Sequence, residues 1–122
     1  MISFSRFVGS FKDAFRGVVH VYKKEQNFRV QFFVGLLVLA LLFVLPLRTW
    51  ENVVMILMVA LVLVMELLNT AIENFADLLK PRVHPSIGLI KDVMAAAVLI
   101  TSFAALVIGL MILFPHFIGF FK

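Results

Sequence analysis

Glu66, Asn69, Glu73 and Asp77 follow one another at steps of three, four and four residues. On a helix that spacing stacks all four on one face. The stripe ends a long apolar run, because residues 53–65 carry no charge at all. Carboxylates are costly inside hydrocarbon, so a stripe of them there marks a functional site. Two or three carboxylates near a membrane surface can hold a hard divalent cation. Mg²⁺ typically takes one or two protein carboxylates and completes its shell with substrate phosphates. A lysine close by, here Lys91, can act as a point charge on phosphate. A deeper carboxylate held partly out of water, here Glu66, is a candidate general base. Together these parts suit phosphoryl transfer to an alcohol that lives in the lipid phase. The sequence has no G-x-x-x-x-G-K-[ST] loop and its six glycines are scattered, so any nucleotide site is not a P-loop. Each residue also has a plainer use. Asn69 and Thr70 can serve as helix–helix contacts, and Asp77 as a solvated charge at a helix end. His84 and His116 read as loop and interface residues, since no second histidine sits at ligand spacing.

The elements that position the stripe follow from composition. The chain has 122 residues, of which 63% are hydrophobic, and its mean hydropathy is +1.10. A soluble domain of this length is about 45–50% apolar, so the excess reads as membrane. With no cysteine, disulfides and thiolate metal sites are excluded. The net charge of +4 points to anionic lipid and phosphate, with no nucleic-acid partner expected in so apolar a chain. The N-terminus lacks the continuous apolar stretch and small-residue cleavage site of a signal peptide. A single domain over residues 1–122 is expected, with no internal repeat.

Residues 4–24 set Phe4, Phe7, Val8, Phe11, Phe15, Val18, Val19 and Tyr22 on one side of a helix. Arg6, Lys12, Asp13, Arg16 and Lys23 occupy the other. That is an amphipathic helix suited to lying in a membrane interface. Residues 30–47 carry no formal charge between Arg29 and Arg48 and are just long enough to cross, since a span needs about 20 residues, with a range of about 17–25. Pro46 and the polar residues 48–52 close this first span, with Trp50 as an interfacial anchor. Residues 53–79 form the second span and carry the stripe. A helix of that length exceeds the hydrocarbon, which places Glu73 and Asp77 near the surface and Glu66 deeper. Residues 80–92 are expected to be a loop, because Pro81 and Pro85 oppose a continuous helix and Gly88 permits a turn. Residues 93–120 form the third span, with Pro115 near its far end. Ala95, Ala96, Ala97, Ala104 and Ala105 mark faces where helices can approach closely.

The positive charges decide orientation. Six of the eleven Lys and Arg residues precede the first span: Arg6, Lys12, Arg16, Lys23, Lys24 and Arg29. The loop after the first span has Arg48, and the loop after the second has Lys80, Arg82 and Lys91. Alternation puts the N-terminus, residues 80–92 and the stripe on the cytoplasmic side, beside Lys91 and near Glu25. A small proton- or cation-coupled transporter is the alternative of another class, since such proteins also carry a buried carboxylate. A transporter site belongs nearer the midplane than this cluster.

The run Glu66-Leu67-Leu68-Asn69-Thr70-Ala71-Ile72-Glu73 through Asp77, then Lys91-Asp92 and an Ala-rich helix, resembles the prokaryotic diacylglycerol kinase family. The stretch from Phe11 to Arg29, FxxAFxGxxxxxxxExNFR, resembles it too. The resemblance implies an all-α polytopic membrane protein: an N-terminal amphipathic surface helix plus three transmembrane helices, assembled as a homotrimer. It implies composite sites between subunits at the cytoplasmic face of the bacterial inner membrane. By the same resemblance Glu66 would take the proton from the lipid hydroxyl, Glu25 and Glu73 would hold the Mg²⁺ carried by ATP, and Asn69 would position the reacting groups. Lys91 would meet the phosphates and Asp92 would help to orient the nucleotide, with Arg6, Asp77 and Gly88 completing the nucleotide-binding set. The lipid substrate splits within the family between diacylglycerol and undecaprenol. Glu25-Gln26-Asn27-Phe28-Arg29, Gln31 and Ala95 look more like the undecaprenol branch.

Overall fold

The computed structural model describes residues 1–79 and 86–121. Among the described residues four helices run in order: α1 (Phe4–Lys24), α2 (Gln26–Val44), α3 (Thr49–Leu79) and α4 (Ser86–Phe120). Among the described residues, α2, α3 and α4 are long and apolar enough to cross a membrane. Residues 80–85 of the loop expected over 80–92, with Pro81, His84 and Pro85, and the terminal Lys122, lie outside the described residues.

The helix ends have local causes. Ser3 is extended and its Oγ accepts from Arg6 N–H at 3.4 Å, opening α1 in the manner of an N-cap serine. Helix α1 stops because Glu25 alone turns extended, with φ −109° and ψ 116°. Helix α2 starts at the next residue. The Arg29 guanidinium reaches back across this corner and donates to the carbonyls of Tyr22 at 2.8 Å and Lys23 at 3.0 Å. Those are orphan acceptors of the last turn of α1. Tyr22 also meets Phe32 and Phe33 edge-on, at 6.0 and 6.2 Å between ring centroids, and Phe28 is buried beneath. The corner is thus packed as well as hydrogen-bonded.

Helix α2 ends at Val44, three residues before the expected end of the first span. Leu45 is extended, as the residue before a proline is driven to be, here by Pro46. Helix α3 opens with Glu51 accepting from Arg48 N–H at 2.9 Å, the reach-back half of a capping box. Its 31 residues make a rod of about 46 Å, against about 30 Å of hydrocarbon. Helix α4 corrects the expected loop over 80–92. It is already helical at Ser86, so Gly88, Lys91 and Asp92 stand on a helix. The prolines precede this helix rather than break it, and a glycine in a helix costs only about 1 kcal/mol. Pro115 lies inside α4 near its end.

Helix α3 is the centre of the bundle and packs against both α2 and α4. Its buried residues Glu51, Met55, Val62, Glu66 and Thr70 recur at helical spacing and form one stripe. Gly35 brings α2 close: a Cβ built there would lie 2.9 Å from Val59 Cγ1. At the end remote from the carboxylates, His116 Nε2 stands 3.3 Å from both oxygens of the Glu51 carboxylate. His116 is therefore an interface residue between α3 and α4. Ala95 and Ala96 face outward in the single chain, as do large apolar side chains such as Leu99, Ile100 and Phe103. Such a surface is covered by lipid or by protein.

Candidate active site

The last turns of α3 carry a ladder of polar groups whose burial falls toward the helix end. Glu66 is 4% exposed, Asn69 and Glu73 are half-buried, and Asp77 is exposed. Thr70 lies on the same side and is 2% exposed. Its hydroxyl donates to the Glu66 carbonyl at 3.1 Å, so Thr70 is satisfied within its own helix instead of linking helices. Asn69 donates through Nδ2 to Glu73 Oε1 at 3.4 Å, a long bond that positions more than it stabilises. Asn69 Oδ1 is buried and accepts no hydrogen bond from the protein.

Three separate parts of the chain meet at this ladder. The α1–α2 corner brings Glu25, whose carboxylate makes no capping bond to α2. Glu25 and Glu73 both lie close enough to Glu66 to act on its charge. From the other side α4 brings Lys91, whose Nζ meets Asp77 Oδ1 at 2.8 Å. Lys24, next to Glu25, donates to Asn74 Oδ1, next to Glu73. Lys24 and Asn74 were not singled out in the sequence. The available signal was position: Asn74 falls two turns above Glu66 on the same stripe.

Not every expected site residue joins the cluster. Arg6 is exposed and sits about 27 Å of helix rise before Lys24. Gly88 and Asp92 are exposed on the first turns of α4, and a Cβ at Gly88 would meet nothing within 4 Å.

Among the described residues no three Asp, Glu or His side chains approach closely enough to hold a metal by themselves. The donors nonetheless suit Mg²⁺, which needs only one or two protein carboxylates when phosphates supply the remainder. Glu25 and Glu73 offer hard oxygen donors beside a third carboxylate, and Asn69 Oδ1 is a buried acceptor lacking a partner. A divalent cation would relieve the repulsion, and a hydroxyl donor would satisfy the amide.

The family model for prokaryotic diacylglycerol kinase matches residues 12–113, spanning every element of this site from the corner to Lys91. The chain belongs to the prokaryotic diacylglycerol kinase family. It is 36% identical to a diacylglycerol kinase of Synechocystis sp. over 107 residues, 87% of this chain but only 61% of that relative's length. It is 34% identical to the undecaprenol kinase of Bacillus subtilis over 111 residues, 91% of this chain and 90% of the relative. It is 30% identical to the diacylglycerol kinase of Escherichia coli over 114 residues, 93% of each. The family is one of lipid kinases, which removes the transporter alternative. With three helices able to span a bilayer, this member of the prokaryotic diacylglycerol kinase family is a membrane protein.

Proposed function

We propose that this chain transfers the γ-phosphate of MgATP to the hydroxyl of undecaprenol, giving undecaprenyl phosphate. The observation that carries this reading is the burial of Glu66 beneath Asn69 and Glu73, with Glu25 acting on it from the corner and Lys91 on Asp77 at the open end of the ladder. The lipid hydroxyl oxygen attacks the γ-phosphorus, the bond to the β-phosphate bridging oxygen breaks, and ADP leaves. Glu66 takes the hydroxyl proton as general base. Asn69 Oδ1 accepts from that hydroxyl as the lipid arrives, before its single proton turns to Glu66. Glu25 and Glu73 would hold the Mg²⁺, which would neutralise phosphate charge. Lys91 turns from Asp77 toward the phosphates as a point charge. Asp92, Gly88 and Asp77 border the nucleotide side.

An apolar groove of about 560 Å³ lies between α2, α3 and α4, with Val34, Gly35, Met55, Val62, Leu106 and Phe117 among its walls. Val62 is one turn from Glu66, so an isoprenoid chain seated there would present its head to the base. The positive-inside count supports a cytoplasmic site in the inner membrane, with α1 lying amphipathically on that surface. The outward-facing apolar residues of α4 support a homotrimer with sites shared between subunits. Light scattering in detergent is expected to give three chains per particle; a fully active monomer would overturn the shared site.

The substrate is tested by offering undecaprenol and diacylglycerol separately in mixed micelles with MgATP. Faster turnover of undecaprenol is expected. Faster turnover of diacylglycerol, the substrate named in the Synechocystis and Escherichia coli relatives, would keep the kinase and reverse the lipid. Phosphorylation of neither by a folded protein would overturn the reading.

A further inference from the structure

The α1–α2 corner turns on one residue, Glu25, and carries a helix that holds on only by its end. Apolar residues of α1 from Phe4 to Phe15 are exposed, and Val21 is its buried residue. Arg29 sets the shape of the corner, because it and both its carbonyl partners belong to the corner itself. It does not set how far the corner stands from α3. Lys24 spans that gap: its ammonium donates to Asn74 Oδ1 of α3. Lys24 directly precedes Glu25, and Asn74 directly follows Glu73. The bond therefore joins the immediate neighbours of the two carboxylates whose charges act on Glu66.

We propose that Lys24 is a positioning residue, which through Asn74 clamps the corner onto α3 and fixes Glu25 at its distance from Glu66 and Glu73. The inference rests on the reading of Glu25 and Glu73 as metal ligands and goes beyond it, since it gives Lys24 and Asn74 no contact with substrate. Without the clamp, only the packing of Val21 and Phe28 holds the corner against like-charge repulsion on Glu25, and Glu25 shifts outward more readily. The metal site then forms only when the ion itself draws the carboxylates together, so metal affinity falls while the chemistry is spared. A direct role for Lys24 on phosphate would behave differently, because Asn74 would then be irrelevant.

Lys24→Met and Asn74→Leu each remove the bond, but only the first removes the charge. Both are expected to raise the Mg²⁺ concentration for half-maximal rate by about fivefold, the scale of one typical hydrogen bond at an exposed site. Rate at saturating Mg²⁺ should return close to that of the parent. The double variant should be no worse than either single one, and Lys24→Arg, which keeps a donor, should recover most of the loss. A second readout needs neither ATP nor lipid substrate. The chain has no cysteine, so nitroxides can be placed at His20→Cys and Leu78→Cys, both on exposed positions. Measured in nanodiscs and diluted with unlabelled protein, this intrachain distance should be narrowly distributed in the parent and broadened in either variant. An unchanged distribution in both variants would overturn the clamp. So would a loss in Lys24→Met that Asn74→Leu does not share, or a broadened distance with an unmoved Mg²⁺ dependence. Should the parent phosphorylate no lipid, the kinase reading fails on its own, and the distance still decides the clamp.

Discussion

Glu66→Gln is expected to lower lipid phosphorylation by about a thousandfold, in the range a positioned general base contributes, while leaving the helical bundle folded. Glutamine has nearly the same volume and shape, so the packing around the site is kept. What is lost is the oxygen pair able to take a proton. Glu66 is almost fully buried and faces two further carboxylates, which makes its charge a burden on the fold. Removing a buried, repelled charge relieves desolvation and repulsion together. Thermal unfolding in detergent should therefore show the variant at least as stable as the parent. Activity and stability moving in opposite directions is the signature of a residue retained for chemistry. Parent-like turnover in Glu66→Gln would remove it from the base role. A joint loss of activity and stability would make it a structural residue instead.

The stripe was legible because its spacing is local: steps of three and four residues mean one helix face whatever the rest of the fold does. The spans were legible because nothing charged interrupts residues 53–65 or 93–120. The boundaries were harder. Hydropathy ran on to Leu47, yet the chain obeys Pro46 and leaves the helix at Leu45. Prolines 81 and 85 together with Gly88 suggested one continuous loop, but helix resumes at Ser86 and sets Lys91 one to two turns in, where it meets Asp77. The partners were not legible at all. Lys24 with Asn74 and Glu51 with His116 join residues 50 and 65 positions apart, and only the packing of whole helices decides such pairs. Glu25 stood between these cases. In the sequence only family resemblance gave it a role. The physical reason is the single extended residue at the corner, which swings it over the end of α3.

Gly35→Val is expected to destabilise the bundle by about 3 kcal/mol, while Gly35→Ala costs far less. At Gly35 even a Cβ would lie 2.9 Å from Val59 Cγ1, so any side chain there must move a helix or Val59. Val59 is β-branched and in a helix has essentially one χ1 rotamer, which leaves the backbone to give way. For alanine the clash is one methyl group. Overpacking costs about 1–3 kcal/mol, and the better helix propensity of alanine returns about 1 kcal/mol, so the net loss is small. Valine adds two γ-methyls in a fixed direction and regains less through propensity. A leucine could turn its tip into the neighbouring groove, which Gly35 also lines, so valine is the sharper wedge. Helix α2 carries Glu25 at its start and α3 carries Glu66, so a wedge between them should disturb the site as well as the fold. Melting in detergent across the two variants measures the first effect and Mg²⁺ dependence the second. Val59→Ala combined with Gly35→Val should restore most of both, because it clears the atom that the new side chain meets. A Gly35→Val protein that melts with the parent would mean that α2 and α3 do not cross at this point.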